Sequence, residues 1–283
     1  MTRLVGQQLT SITLKTQKSF GVAPRIGMLV TLMLILASAV NAQTTGEAQN
    51  EQWSVARASI WYDQLPWPVG FNYAPRYAIN QLEMWQEDTF DPVIIDQELG
   101  WAAGIGFNMV RVFLHHLPWQ QDAAAFSQRI DLFLSIAEKH DIDVMFVLFD
   151  DVWNPVPQLG KQPEPTPGVH NSGWVQSPGA AILGDIHRHD ELEPYVRGIL
   201  SRYGDDERVA IWDLYNEPGN LNAIPYGNAE VDDKPKYSLI LLEKVFAWAR
   251  SEKPIQPLTS GVWRVKDGRW LGEDKDDPGA ALF

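Results

Sequence analysis

The sequence predicts an α/β fold, a (β/α)8 TIM barrel of which about five β/α units lie within the chain. Three observations lead there. From Val69 onward, short apolar runs with strand character alternate with segments whose apolar residues recur at helical spacing. Polar residues gather just after each run: Asn72 and Tyr73, Arg111 to His116, Asp150 to Asn154, Asn216 to Asn220, and Trp263. The glycine-rich loops of nucleotide-binding sheets are missing, with no Gly-x-Gly-x-x-Gly after the first strand and no Gly-Lys-Ser/Thr. An open doubly wound sheet competes. The barrel is favoured because barrels build their active sites where the strands end.

Val69 to Tyr73 reads as the first strand. In Pro92 to Ala103, Ile95, Leu99, Ala102 and Ala103 share one helical face, and Gly104 and Gly106 close the segment. Met109 to Leu114 is the second strand. Residues 123–140 form a helix through Phe126, Ile130, Phe133, Leu134 and Ala137, with Asp122 as N-cap. Val144 to Phe149 is a continuous apolar run suited to burial on both faces. A long loop rich in Pro, Gly, Asn and Trp follows over 151–189, then a helix over about 191–203. Val209 to Tyr215 is the fourth strand, 237–251 a helix, and Pro257 to Trp263 the fifth strand. A barrel needs three more strands. Truncation at the C-terminal end is the expected explanation, with missed strands in 53–68 as the alternative for one or two of them.

Hydrophobic residues make up 45% of the 283 positions and charged residues 21%, a globular composition. The net charge of −13 repels nucleic acid and anionic membrane, so neither is an expected partner. With no cysteine, disulfides, zinc thiolates, iron–sulfur clusters and cysteine nucleophiles are excluded. Several of the twelve Trp lie in Pro/Gly-rich loops. They serve either as loop anchors or as platforms for flat apolar ligand faces such as those of sugars.

Residues 28–40 are almost wholly apolar. Arg3, Lys15, Lys18 and Arg25 precede them, and Val40-Asn41-Ala42 offers small residues before Gln43. That order predicts a secretory signal peptide over 1–42, a flexible leader over 43–52 and a catalytic domain over 53–283. The run is short for a bilayer span of roughly 20 residues, so an uncleaved anchor is the lesser alternative. Export in a bacterium, to the periplasm or outside, is expected, with no membrane insertion after cleavage, as a monomer.

The sharpest motif is Trp212-Asp213-Leu214-Tyr215-Asn216-Glu217-Pro218, an apolar strand running to an Asn-Glu pair that Pro218 terminates. With Gly70-Phe71-Asn72-Tyr73, Gly106-Phe107-Asn108-Met109-Val110-Arg111 and Asp206-Glu207-Arg208-Val209 in this order, the chain from about Trp67 to Trp263 resembles the cellulase-like glycoside hydrolases of family five. These are retaining (β/α)8 enzymes that need no cofactor. The resemblance implies that Glu217 is the general acid/base, that Asn216 holds the 2-hydroxyl of the sugar, and that Arg111 orients the nucleophile carboxylate. Read from the residues alone, Glu217 has the alternative of a helix-entry carboxylate, and Arg111 that of a structural ion pair.

Two carboxyl groups are required, one to protonate the leaving oxygen and one to attack the anomeric carbon. Glu230, Glu243, Glu252 and Glu273 follow Glu217, but none ends an apolar strand, so the nucleophile is left unassigned. Asp150, Asp151 and Trp153 after the third strand suggest a substrate-shaping rim, with Ca²⁺ binding as an alternative. In the long loop, His170, Asn171 and Trp174 suit a sugar subsite, with Trp174 otherwise a loop anchor. Trp263 completes the expected substrate-binding set. One of His115 and His116 is expected near the sugar. A metal at His187 and His189 with Asp185 and Asp190 is disfavoured against a solvated loop, and no metal is expected. The expected substrate is a β-linked polysaccharide or oligosaccharide. The rivals are a non-catalytic carbohydrate-binding barrel and a metal-dependent barrel hydrolase.

Overall fold

The computed structural model describes residues 52–221 and 226–262, together with the backbone of 265–266 and 269–270. Residues 1–51, which include the expected signal peptide and nearly all of the leader, lie outside the described residues, as does Trp263. In chain order the elements begin with α1 (Val55–Gln64), β1 (Gly70–Tyr73), α2 (Gln81–Trp85), α3 (Pro92–Gly104) and β2 (Met109–Phe113). Then come α4 (His116–Gln121), α5 (Ala123–Lys139), β3 (Asp143–Val147), α6 (Ala180–Leu183) and α7 (Glu193–Tyr203). Last are β4 (Val209–Asn216), α8 (Lys234–Ser251), β5 (Leu258–Gly261) and the short antiparallel pair β6 (Val265–Lys266) and β7 (Arg269–Trp270).

The helices start where short polar side chains satisfy orphan backbone donors. Asp91 accepts from the Val93 and Ile94 N–H groups at 3.0 and 3.1 Å, with Pro92 opening the first turn of α3. Asp122 accepts from Ala125 N–H at 2.9 Å, as the sequence predicts. The helical stripe on α5 is the buried face: Phe126, Ile130, Phe133, Leu134 and Ala137 have no exposed surface. Each of the larger of these side chains contributes about 1.5–3 kcal/mol by leaving water.

β1 to β5 form one all-parallel sheet whose spatial order is the chain order. Gly70 sits beside Met109, Met109 beside Asp143, and Trp212 beside Leu258. A doubly wound sheet reverses its order at a switch point. None occurs here, so the winding is that of consecutive β/α units of a barrel. Alternation along the strands sorts the two faces. Val110, Val112, Val144, Phe146, Trp212 and Leu214 are buried in the main apolar cluster with the helices. Met109, Arg111, Met145 and Ile211 on the opposite face are half-buried.

Residues 53–68 hold the helix α1 in place of the strands weighed as an alternative; Ser54 caps it by accepting from Arg57 N–H at 3.2 Å. α2 and α4 span five and six residues, too short for a periodic pattern to mark them. The long third loop contains α6 and a 3₁₀ segment, Ile186–Leu192. Within that segment His189 is buried and its Nε2 donates to Leu183 O at 2.8 Å, whereas His187 is exposed.

Candidate active site

β4 carries the central residues. Its ladder continues until Glu217 N–H donates to Gly261 O, and Glu217 then turns into the left-handed region at φ 48°. Pro218 blocks further ladder bonding. Gly219 follows at φ 82°, where only glycine is free of strain, and Asn220 N–H closes the turn onto Glu217 O at 3.0 Å. The Asn220 amide also donates to Glu217 Oε2 at 2.7 Å.

Glu217 opens into a cavity of about 690 Å³ at the C-terminal ends of the strands. Eight of the nine residues expected at a site line it: Arg111 from β2, Asp150 and Trp153 after β3, His170, Asn171 and Trp174 from the long loop, and Asn216 and Glu217 from β4. The ninth, Trp263, lies outside the described residues. Asn72, Phe113, Asn220 and Leu221 add to the wall. Trp153 and Asn171, at φ 79° and 47°, are also left-handed. Positive φ in a bulky residue costs about 1–3 kcal/mol and persists only where the surroundings impose it, often at functional sites.

The polar groups form a chain of hydrogen bonds. Arg111 Nε donates to Asp213 Oδ2 at 3.1 Å, and Nη2 makes a second, closer contact to the same oxygen. Nη2 also donates to Asn216 Oδ1 at 2.7 Å, and Nη1 to Asn72 Oδ1 at 3.1 Å. The Asn216 amide nitrogen in turn donates to Asp150 Oδ1 at 2.9 Å. An arginine donor on one side and a carboxylate acceptor on the other leave the Asn216 amide a single orientation. Arg111 thus makes an ion pair inside the sheet with Asp213, a residue for which the sequence carried no site signal. Partner choice across strands is not written in local spacing.

Of the two acids expected at a rim, Asp150 lines the cavity and Asp151 does not. Both are buried, at 2% and 1% exposure. Asp150 accepts from Val152 N–H at 3.1 Å, from Asn216 and, at 2.8 Å, from the Trp174 indole N–H. Burial pushes its carboxyl up to about 7, opposed by these donors. Asp151 points away from the cavity into bonds with Tyr215, Gly219 and Ser238. With their oxygens turned to protein N–H and O–H groups, the pair does not form a calcium cage. No group of three or more His, Asp or Glu suited to a metal occurs among the described residues.

Trp174 is tied at both ends, by its indole N–H and by an edge contact with Phe113 at 5.3 Å. The freer aromatic wall is the edge-to-face pair of Trp153 and His170, 5.4 Å apart. His115 and His116 correct the expectation that one meets a ligand. They stack at 4.7 Å with essentially no exposure. His115 Nε2 donates to Gln176 O at 3.0 Å and Nδ1 accepts from Leu117 N–H, capping α4. Burial pushes both imidazoles down, His115 to about 3, so both are neutral.

Of the glutamates after Glu217, Glu230 pairs with Lys234 at 3.0 Å and receives the Gln176 amide. Glu243 is on the exposed side of α8, and Glu252 pairs with Arg197 at 2.8 Å. Glu273 lies outside the described residues.

No family model and no curated protein matches the chain. Among solved structures it is similar to a hyperthermostable endo-1,4-β-D-mannanase from Thermotoga petrophila, at 14% identity over 69% of this chain and 55% of that one, with a TM-score of 0.43. It is similar to an endo-1,4-β-mannanase from Rhizomucor miehei, at 14% identity over 71% and 60%, with a TM-score of 0.47. An exo-β-1,4-mannosidase from an Opitutaceae bacterium shares 21% identity over 75% of this chain and 36% of its own, with a TM-score of 0.47. The chain therefore spans 36 to 60% of the length of these three glycosidases.

Proposed function

We propose that the protein acts on a β-linked polysaccharide or oligosaccharide as a glycoside hydrolase, with Glu217 as its proton donor. The observation that carries this reading is the meeting of Glu217, Asn216 and Arg111 with Trp153, His170, Asn171 and Trp174 around one cavity. These residues come from three separated parts of the chain and are the types a saccharide site needs. The carboxyl group of Glu217 gives its proton to the glycosidic oxygen as the bond to the anomeric carbon breaks. Asn216, its amide oriented by Arg111 and Asp150, offers its second N–H to the 2-hydroxyl. The edge-to-face pair of Trp153 and His170 gives an apolar surface for a ring face.

Retention through a covalent glycosyl-enzyme is proposed with it. That route needs a second carboxylate roughly 5 to 5.5 Å from the first, and none of the described residues is assigned that part. The second reading is a barrel that binds carbohydrate without cleaving it, and turnover measured beside binding separates the two. We further propose export by the apolar run at 28–40 preceded by basic residues.

The test is release of reducing ends from soluble β-glucan, β-mannan and xylan, with binding measured in parallel, for the wild type and Glu217→Gln. Hydrolysis that collapses in the variant while affinity survives supports the enzyme. Equal affinity with no turnover in either supports the binding barrel. Neither turnover nor binding on any β-glycan refutes both.

A further inference from the structure

Asp151 does not line the cavity, yet its carboxylate accepts three hydrogen bonds close behind it. Its main-chain N–H donates to Asn216 O at 3.2 Å, one residue before Glu217. Its Oδ2 accepts from Gly219 N–H at 2.7 Å, two residues after Glu217. Oδ1 accepts from the Tyr215 hydroxyl at 2.6 Å, and the Ser238 hydroxyl of α8 donates to Oδ2. Its carbonyl receives the fully buried Lys234 Nζ at 2.6 Å. One residue thus joins the end of β3, the end of β4, the turn beyond it and α8.

Between the two gripped points lies Glu217, left-handed at φ 48°. A glutamate does not adopt that conformation unaided, because its Cβ crowds the backbone. Two of its restraints, the Glu217 N–H bond to Gly261 O and the closure by Asn220, are local to the strand end. The grip of Asp151 is the restraint that spans the residue from both sides.

We propose that Asp151 is a positioning residue for Glu217, clamping the chain before and after it so that the carboxyl group is delivered to the cavity. The effect on rate rests on Glu217 being the proton donor; the clamp itself does not. A clamp on a proton donor affects only substrates whose leaving group must be protonated. A sugar alkoxide must be, whereas 2,4-dinitrophenolate leaves unaided.

The experiment compares kcat/KM of the full chain, as Asp151→Ala and Asp151→Asn, on a cello- or manno-oligosaccharide and on the 2,4-dinitrophenyl glycoside of the same sugar. Crystal structures of the wild type and both variants accompany it. Asp151→Ala is expected to lose roughly 100-fold on the oligosaccharide and less than about threefold on the aryl glycoside, the signature of a displaced general acid. In its crystals the 217–219 turn leaves the left-handed conformation. Asp151→Asn keeps an oxygen for both Gly219 N–H and the Ser238 hydroxyl, and the Tyr215 hydroxyl rotates to accept from its amide, so most of the loss is rescued. Equal losses on both substrates, or Glu217 unmoved in Asp151→Ala, overturn the proposal. Should Asp151→Ala fail to fold, the double variant Tyr215→Phe, Ser238→Ala loosens the clamp without leaving a void. The same selective loss, several-fold in size, is then expected, and equal losses overturn the proposal. A wild type inert on every glycoside refutes hydrolysis and leaves the clamp to be decided by the crystal structures.

Discussion

Replacing Gly261 by alanine tests the polar chain that orders the site. Gly261 closes β5, donates its N–H to Asp213 Oδ1 at 3.1 Å and accepts Glu217 N–H. A methyl group built there meets Arg111 Nη2 at 2.9 Å, Asn216 Oδ1 at 3.0 Å and Asp213 Oδ2 at 3.1 Å. Ordinary contact begins at 3.4 Å, so these atoms must retreat by 0.5 to 0.3 Å (3.4 less 2.9 and 3.4 less 3.1). The guanidinium has little room to comply, being bonded to Asp213, Asn216 and Asn72 at once. Losing one hydrogen bond to a charged group costs about 1.5–3 kcal/mol. The glycine-to-alanine change returns about 0.4–1 kcal/mol through the unfolded chain. The net expectation is a loss of about 0.5–2.6 kcal/mol. Urea unfolding followed by tryptophan fluorescence measures it. Gly104→Ala is the control: it ends α3 with nothing within 4 Å of the added methyl group, so it is expected to be neutral or to gain up to about 1 kcal/mol. If Gly261→Ala unfolds at the same urea concentration as that control, Arg111 is not held as described.

Asp150 carries a pH dependence. Its folded-state carboxyl lies near 7 and its unfolded value at 3.8, so between those values the folded state holds a proton that the unfolded state has released. The contribution is fully present below about pH 4 and is lost as pH rises through 7. Asp150→Asn should therefore flatten the fall in unfolding free energy between pH 4 and 7; an unchanged slope would assign it to another group. Gly198→Ala sets two effects against each other. Helix propensity favours alanine in α7 by about 1 kcal/mol. The new methyl group, however, meets Trp119 at 2.7 Å, and that indole is packed on Tyr195. Overpacking of about 1–3 kcal/mol is expected to win, lowering the thermal midpoint; a raised midpoint would show that Trp119 yields freely.

The elements with a local pattern can be read from the residues alone. The stripe on α5, the N-cap Asp122 and the strand that Pro218 ends are visible because helices and strands write their periods into neighbouring residues. Glu217 at a strand end was legible for the same reason. α2 and α4 escaped because one turn of helix leaves no period, and α1 because its helix buries no residue of its own.

Which side chains meet is settled by the packed fold. Asp150 and Asp151 are neighbours with one chemistry, but successive residues at the strand end face opposite ways. Asp150 therefore braces Asn216 and Trp174 beside the cavity, while Asp151 grips the turn behind Glu217. The pairing of Arg111 with Asp213 spans 102 residues of chain, and the burial of His115 and His116 depends on Gln176 and Ser177, 61 residues on. Such partners are chosen by the register of strands and the packing of loops, which no short window of sequence contains.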